Sequence, residues 1–495
     1  MNKNRHRTVF NAVRGLRMAV AETARALGKP NTVASTAAAL TALALPAQAQ
    51  IAADPAAPGS QRPTVLNAAN GVPLVNITTP SAAGVSRNTY RQFDVGGQGV
   101  ILNNSRTDVQ TQLGGWVQGN PWLAAGGARV ILNEVNASQP SQLNGFVEVG
   151  GQRAEVIIAN PAGIHVNGGG FINASRATLT TGTPVMNAGA LEGFRVQGGQ
   201  VRVEGLGLDV STTDHAAVLA RAVAVNAGIW AKALTVVTGS NDVSTGATRI
   251  TATAPSGTAP AFALDVAALG GMYAGQIRLV GTEAGLGVNQ AGLIDARGAL
   301  TLDVNGWLSQ SAGARTYGDA VSIRAQGVRN KDGAVIAARD SLSIVAGAIH
   351  NTEGALLLSA GDMALSASER IENRSASIEA LGNLSITTPV LVNANDHFET
   401  QLVQVQGPFA LSLIQPSGSA TQIPVGSLVW QEWERAGQYA YNTSPDPHAG
   451  LCSPRLATSP CRPSPSPSPR RGSQSATQPS RSSNKAACRS VCPAQ

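Results

Sequence analysis

Apolar and polar residues alternate in short runs over most of the chain, and Gly, Asn and Asp separate the runs. Residues 155–158 and 164–167 are typical, since each is a short run rich in β-branched residues. A period of two with turn residues between the runs predicts many short β-strands. Beyond residue 49, helical spacing is best sustained over residues 214–226, which are therefore the best candidate for a helix.

Residues 194–204 show the clearest alternation, on both sides of Gly198-Gly199. Two alternating runs joined by a Gly-Gly pair are typical of a β-hairpin. We therefore predict a hairpin here.

A repeat with a period of about 21 residues emerges in the second half of the chain. Each unit begins with Gly or Asp before an apolar-polar-apolar strand, and the starting positions advance in steps of 21, 21, 22 and 20, at Gly298, Asp319, Asp340, Asp362 and Gly382. A second landmark is an asparagine that recurs in steps of 21, 22 and 20, at Asn330, Asn351, Asn373 and Asn393. Two independent landmarks thus share one period.

A unit of this size cannot bury its own apolar face, so it must stack on its neighbours. Short strands and turns at this period predict an all-β fold, a parallel β-helix with short hairpin excursions. If all of residues 50–440 coiled this way, about 19 coils at ~4.8 Å each would give an upper bound of roughly 90 Å. We expect the recurrent asparagine to form a ladder of side-chain hydrogen bonds at a turn.

The N-terminus has the layout of a signal peptide. A basic segment precedes an almost purely apolar run at residues 32–45. About 14 residues are too few to span a bilayer as a helix. Ala47 and Ala49 supply the small side chains that signal peptidase requires, so we place cleavage between Ala49 and Gln50. No other segment approaches transmembrane length.

The positive charge is confined to the chain ends. The formal net charge is +7, but residues 1–29 hold seven bases and one acid, and residues 451–495 hold seven bases and no acid. Residues 50–450 therefore carry a net charge of −6, which argues against a nucleic-acid partner. All four cysteines lie within residues 451–495. A body without cysteine suits export of an unfolded chain, although low cysteine usage alone explains it equally well.

Candidate catalytic chemistry is sparse. The six histidines lack metal-ligand spacing, and there is no G-x-S-x-G or Walker motif. We therefore predict no catalytic residue, no metal and no cofactor. The alternative is a carbohydrate-active β-helix enzyme, which would need acids and bases clustered on adjacent coils. Asp319, Asp340 and Asp362 instead occupy the turn position, where Asp has a conformational reason to occur.

Two Asn-Pro motifs connect the chain to a known family. Residues 119–123, followed by the strand at 128–135, resemble an N-P-N-L motif in which Trp122 replaces the usual Asn. Residues 160–164 resemble an N-P-N-G-I motif, in which Pro fixes φ and Gly permits a reversed backbone. With further similarity at residues 1–22, 168–182 and 273–283, the chain resembles two-partner secretion exoproteins, the group of filamentous haemagglutinins and contact-dependent growth inhibition proteins.

This resemblance implies a right-handed β-helix that passes the inner membrane through the Sec machinery. A dedicated outer-membrane pore would then recognise it through periplasmic receptor domains, and the chain would end up secreted or on the cell surface. The residues that correspond to the family motifs are Asn120, Pro121, Leu123, Asn160, Pro161, Gly163 and Ile164. They are either partner-binding and secretion motifs or only shape turns.

The same resemblance leaves two final roles open, an adhesin or the stalk of a growth-inhibition toxin. Either role adds a receptor on a host or neighbouring cell as a partner. Growth-inhibition members commonly run far longer and end in a toxic domain, so we expect this chain to be truncated.

We expect four segments: an extended signal peptide at 1–49, a two-partner secretion domain at 50–300, β-helix repeats at 301–445 and a disordered Ser/Pro/Arg tail at 446–495. The abrupt change of composition in the tail resembles out-of-frame translation. A genuine Pro/Ser linker or anchor is the alternative.

Overall fold

A computed structural model describes residues 51–397, apart from 256 and 312, together with the backbone of short strands on either side. Residues 1–48 and 49–495 form two separate units. In the first unit, His6–Asn11 pairs antiparallel with Leu16–Ala21. The predicted apolar run of the signal peptide and the cleavage residues Ala47, Ala49 and Gln50 lie outside the described residues, as does most of the predicted tail.

The strands of the second unit stack in parallel, coil on coil, so the all-β parallel β-helix predicted from the sequence is confirmed. Each complete coil contributes one strand to each of three faces.

Face 1 contains Val85–Phe93, Val130–Val135, Ala154–Ala159, Ala174–Thr180, His215–Ala220, Ala299–Val304 and Asn383–Thr387. Face 2 contains Ser141–Leu143, Ile164–Val166, Gln200–Val203, Ala222–Val225, Leu264–Val266, Val288–Gln290, Trp307–Gln310, Gly327–Asn330 and Leu391–Ala394. Face 3 contains Pro73–Asn76, Val100–Asn104, Phe146–Gly151, Gly169–Ile172, Leu208–Val210, Leu293–Ala296, Leu356–Ser359 and Ser377–Ala380. Longer strands turn a corner between faces, namely Gly228–Thr238, Gly271–Gly281, Arg315–Arg324, Val335–Thr352 and Asp362–Arg374.

Elements outside the coils are short. An antiparallel four-stranded sheet, called here the side sheet, contains Thr183–Asn187, Ala190–Val196, Asn241–Ser244 and Ile250–Ala252. Other antiparallel strands near the N-terminal end are Ile51–Ala53, Thr64–Asn67, Val109–Thr111 and Gly115–Val117, and 3-10 turns form at Gly59–Gln61 and Pro121–Leu123. Beyond residue 397 the strands are Glu399–Gln404, Leu413–Ile414, Ile423–Pro424, Tyr439–Ser444, Gly450–Cys452 and Arg455–Leu456. The last two of these add to faces 3 and 1 within the predicted tail. Among the described residues, no helix is long and apolar enough to cross a membrane.

The repeat found in the sequence is confirmed by the strand register. Leu300, Val321, Leu342, Met363 and Leu384 lie directly above one another on face 1. Within residues 51–397, face 1 carries twelve successive strands. At ~4.8 Å per step this is about 53 Å. It falls below the upper bound of roughly 90 Å because that bound covered residues 50–440 and because segments such as the side sheet leave the coils.

The asparagine ladder is also confirmed. The side-chain amide of Asn330 donates to Asn351 at 2.9 Å, that of Asn351 donates to Asn373 at 2.8 Å, and that of Asn373 donates to Asn393 at 2.8 Å. Asn330, Asn351 and Asn373 are completely buried. Each of these coils therefore offers the amide of the preceding asparagine a hydrogen-bond acceptor.

The hairpin predicted for residues 194–204 is wrong. Gln200–Val203 pairs in parallel on face 2, whereas Ala190–Val196 belongs to the side sheet. The actual hairpin joins Thr183–Asn187 to Ala190–Val196 through Ala188 and Gly189, which both have positive φ. Such a two-residue turn matches the twist of paired strands.

The helix considered at residues 214–226 is also wrong, because this segment forms His215–Ala220 and Ala222–Val225. Ala216 and Val218 face the main core, and Ala217 and Leu219 are covered by the side sheet in a second apolar cluster with Phe194. A strand buried on both faces loses its apolar-polar alternation, which explains the misleading pattern.

Candidate functional site

The first Asn-Pro motif forms a 3-10 turn that is held from inside the protein. The Asn120 side-chain amide donates to the carbonyls of Ile77 at 2.9 Å and Asn103 at 3.0 Å. Its Oδ1 accepts from the backbone N–H of Trp122 at 3.0 Å, which caps the turn. Leu123 is completely buried. The turn is thereby attached to the neighbouring coil.

The second motif repeats this arrangement with different partners. The Asn160 amide donates to the carbonyl of Gln139 and to the Ser141 hydroxyl, both at 3.0 Å. Its Oδ1 accepts from the backbone of Ala162 at 2.9 Å, and the N–H of Gly163 closes the turn on the Asn160 carbonyl. Gly163 has φ of +125°, a conformation that side chains with a Cβ rarely adopt. The sequence-based role of Pro and Gly in a tight turn fits this geometry.

The structure does not bring the two motifs together. The first follows the face 3 strand Val100–Asn104, and the second follows the face 1 strand Ala154–Ala159. In both motifs the Asn is at most 2% exposed, and its amide is used by the protein itself. Of the seven motif residues, five are buried and two are exposed: the buried ones are Asn120, Leu123, Asn160, Gly163 and Ile164, and the exposed ones are Pro121 and Pro161.

A groove with large exposed apolar side chains lies beside the first turn, and sequence reasoning did not find it. Three of its side chains are exposed, Leu66 by 46%, Trp116 by 70% and Trp122 by 52%. They line a cavity of about 720 Å³ together with Leu74 and Val117. We call this the tryptophan groove. Exposed apolar patches of this kind mark interaction surfaces. The replacement of Asn by Trp122 in the motif was the available signal.

One acid-base cluster lies on adjacent coils of face 1, where Glu155, Arg176 and His215 are in register. Arg176 Nε lies 3.6 Å from Glu155 Oε1, and the Thr178 hydroxyl donates to the same oxygen at 3.4 Å. Burial raises the pKa of Glu155. Burial and the nearby Arg176 lower the pKa of His215 to about 4. At neutral pH the His215 imidazole is therefore uncharged beside the Arg176–Glu155 pair.

Among the residues that the structure describes, no group of three or more His, Cys, Asp or Glu side chains could hold a metal ion.

Comparison with known proteins identifies two segments. Residues 49–310 match the TPS secretion domain family, and residues 1–50 match the Extended Signal Peptide of Type V secretion system family.

Two similar relatives are the Toxin CdiA of Yersinia pestis, 49% identical, and the tRNA nuclease CdiA-2 of Burkholderia pseudomallei strain 1026b, 45% identical. Each alignment spans 329 residues, which is 62% of this chain and 10% of the relative. The chain therefore spans about a tenth of the length of these relatives.

Among solved structures, the crystal structure of a filamentous hemagglutinin secretion domain is 31% identical. The match has a TM-score of 0.48 and covers 70% of this chain and 98% of that one.

These matches give no support to the alternative of a carbohydrate-active enzyme, because the matched domain is a secretion domain. The extended signal peptide and the secretion domain together account for export to the cell surface. Since the secretion domain alone covers more than half of its residues, the chain belongs to the family of two-partner secretion exoproteins.

Proposed function

We propose that residues 50–310 are the export signal of this protein, which an outer-membrane pore reads through its periplasmic receptor domains after Sec-dependent passage of the inner membrane. The observation that carries this proposal is the match of residues 49–310 to the secretion domain family, directly behind an extended signal peptide.

The tryptophan groove is the surface that the pore recognises. The two Asn-Pro motifs contribute by fixing the backbone conformation of their turns. The amides of Asn120 and Asn160 already bond within the chain, so they are not free to contact a partner. In contrast, Trp116 and Trp122 present large apolar surfaces to solvent, and such side chains dominate protein-protein binding. Asn120 thus positions Trp122, whose backbone N–H it holds.

The coils after residue 310 begin a stalk, for either an adhesin or a growth-inhibition toxin whose distal parts bind a receptor on a host or neighbouring cell. The names of the relatives include a tRNA nuclease, and that activity is theirs. For the residues present here we propose a structural role without catalysis.

Secretion of residues 1–450 in a Gram-negative host, with and without a matched pore, tests the proposal. We expect the chain in the medium or on the surface only when the pore is present. Retention in the periplasm despite a matched pore would refute the proposed function.

Variants of the groove separate recognition from turn formation. We expect Trp116→Ala combined with Trp122→Ala to lose export while the purified chain keeps its melting temperature. Leu269→Ser is a matched control, because Leu269 is 90% exposed and is not among the residues lining the groove. Export of the tryptophan double variant at the wild-type rate would show that the groove is not the recognition surface.

Coil-by-coil folding outside the cell is the proposed driving force for export, because each coil stacks on its neighbour without an external energy source. Destabilising one coil beyond residue 310 should slow export without touching the secretion domain. Unchanged export would count against this mechanism.

A further inference from the structure

Face 3 carries a row of outward-facing side chains outside the tryptophan groove. Asp209, Trp230, Tyr273 and Asp295 lie in register on four successive coils. Two aromatic rings are thereby placed side by side, with a carboxylate on the coil before them and another on the coil after them. Trp230 and Tyr273 are far apart in the sequence and become neighbours only through the stacking of coils.

Both rings lie against the sheet. A Cβ added at Gly228 would overlap the Trp230 ring, and a Cβ added at Gly271 would overlap the Tyr273 ring. Each ring therefore covers the glycine two residues earlier in its own strand. The ring planes are within 8° of each other, and their centroids are 6.1 Å apart. The result is a flat aromatic surface that extends over two coils, called here the aromatic platform.

The outer face of the platform is open to solvent. Trp230 is 42% exposed, and the two rings line a cavity of about 560 Å³. Trp307 on face 2 provides a contrast, because it also lies over a glycine but the Arg329 guanidinium covers it at 3.8 Å from the ring centroid. The aromatic platform thus lacks the cation that closes the comparable ring on the neighbouring face.

Polar groups surround the rings. Asp295, Arg297, Lys232 and Ser211 line the same cavity. Within the described part of the chain, the side chains of Asp295 and Arg297 make no hydrogen bond or ion pair, so their acceptor and donor atoms are available to a ligand. The charges of Asp295 and Arg297 offset each other, and the Lys232 ammonium is paired with Asp214 at 3.6 Å, so the cavity favours a ligand without net charge.

We propose that the aromatic platform binds a neutral oligosaccharide of at least two hexopyranose units. The C–H face of a pyranose packs on a flat aromatic ring, while its hydroxyl groups at the ring edge both donate and accept hydrogen bonds. Two rings over two coils provide places for two consecutive sugar units, with Asp295 and Arg297 at the edge. This binding activity is separate from export and would act after the chain has reached the cell surface.

The test uses the secreted full chain and a panel of neutral tetrasaccharides built from β-1,4-glucose, β-1,3-glucose, α-1,4-glucose, galactose and mannose. Tryptophan fluorescence and calorimetry measure the affinity. We expect saturable binding of at least one member, and we expect Trp230→Ala to weaken it by about tenfold or more. Tyr273→Phe should keep most of the affinity, whereas Tyr273→Ala should lose it. Leu381→Ser is the matched control, because Leu381 is 63% exposed and does not line this cavity or the tryptophan groove, and it should bind like the wild type.

Absence of saturable binding to every member of the panel, or unchanged affinity in Trp230→Ala, would overturn the proposal. Circular dichroism and the melting temperature establish that each variant is folded. If Trp230→Ala loses pore-dependent export and no tetrasaccharide binds the wild type, the platform belongs to the pore and the proposal is overturned. Normal export of Trp230→Ala with reduced sugar binding would support it, so failure of this inference is distinguishable from failure of the proposed export function.

Discussion

Replacement of Asn351 by Ala tests whether the asparagine ladder holds the repeat coils together. The Asn351 side chain accepts a hydrogen bond from Asn330 at 2.9 Å and donates to Asn373 and to the carbonyl of Ser377, both at 2.8 Å. A weaker contact to the carbonyl of Ala355 spans 3.4 Å. All four bonds are lost in the variant.

The expected loss of stability follows from this count. Three good hydrogen bonds at about 1 kcal/mol each give roughly 3 kcal/mol, and the buried polar atoms that each lose one partner raise the total toward about 5 kcal/mol. Asn393→Ala at the end of the ladder is the comparison. Asn393 is exposed and accepts one bond, from Asn373, whose amide also donates to Ala376 at 2.8 Å. We expect this variant to lose about 1 kcal/mol or less.

Hydrogen exchange of the secreted chain measures the effect where it occurs. Because each coil contacts only its neighbours, the loss should be local to the coils around residue 351. A loss of about 3 kcal/mol corresponds to exchange roughly a hundredfold faster in peptides covering residues 327–380. Peptides from residues 130–159 should exchange as in the wild type.

Asn351→Leu separates hydrogen bonding from packing, since it fills nearly the same volume but cannot bond. We expect it to be as destabilising as Asn351→Ala. Wild-type exchange in Asn351→Leu, or equal effects of Asn351→Ala and Asn393→Ala, would refute the reasoning.

Three further changes have defined outcomes. Arg221→Met should lower the unfolding free energy by about 3–5 kcal/mol in urea titration, because it leaves Glu283 buried without its bidentate partner, and the double change with Glu283→Leu should recover most of this. The free energy of unfolding should fall as pH drops from 6.5 to about 4. Burial lowers the pKa of His215 in the folded protein, so the unfolded chain binds the proton at higher pH than the folded one. His215→Gln should flatten this part of the pH-stability curve. Gly163→Ala should cost about 1–3 kcal/mol in the same titration, as its φ is +125°, whereas Gly198→Ala, with open space around it, should be neutral.

The repeat region could be predicted from the sequence because each coil meets the same environment as its neighbours. A residue that fits one coil fits the next, so the landmarks at Asn330, Asn351 and Asn373 recur at the period of the fold. The Asn-Pro turns were also readable, since Pro and Gly restrict the backbone locally. Their buried amides were not, because the carbonyls that accept from Asn120 and Asn160 come from other segments of the chain.

The side sheet and the aromatic platform could not be predicted, for one physical reason. Residues 241–252 leave the coil and extend the side sheet next to Ala190–Val196, so the length of chain between successive coils roughly doubles at this point relative to the repeats. Trp230 and Tyr273 could be recognised as neighbours in the sequence only if this insertion were first identified and left out of the repeat count. The same insertion buries the outer side of His215–Ala220, which removed its alternation.

This difference between the two regions bears on how folding could drive export. Beyond residue 300, the strands of each coil pair with those of the unit directly before it in the repeat. Every emerging unit can therefore form its backbone hydrogen bonds at once. In the secretion domain, the pairing of Gly193 with Ser244 can form only after Ser244 has emerged. Arg221 can form its ion pair only after Glu283, 62 residues later, has emerged. Residues 50–450 contain no cysteine, so no disulfide links one of these coils to another. Folding of the repeat coils can therefore stabilise the chain unit by unit as it emerges, whereas the side sheet and the Arg221–Glu283 ion pair form only after longer segments have emerged.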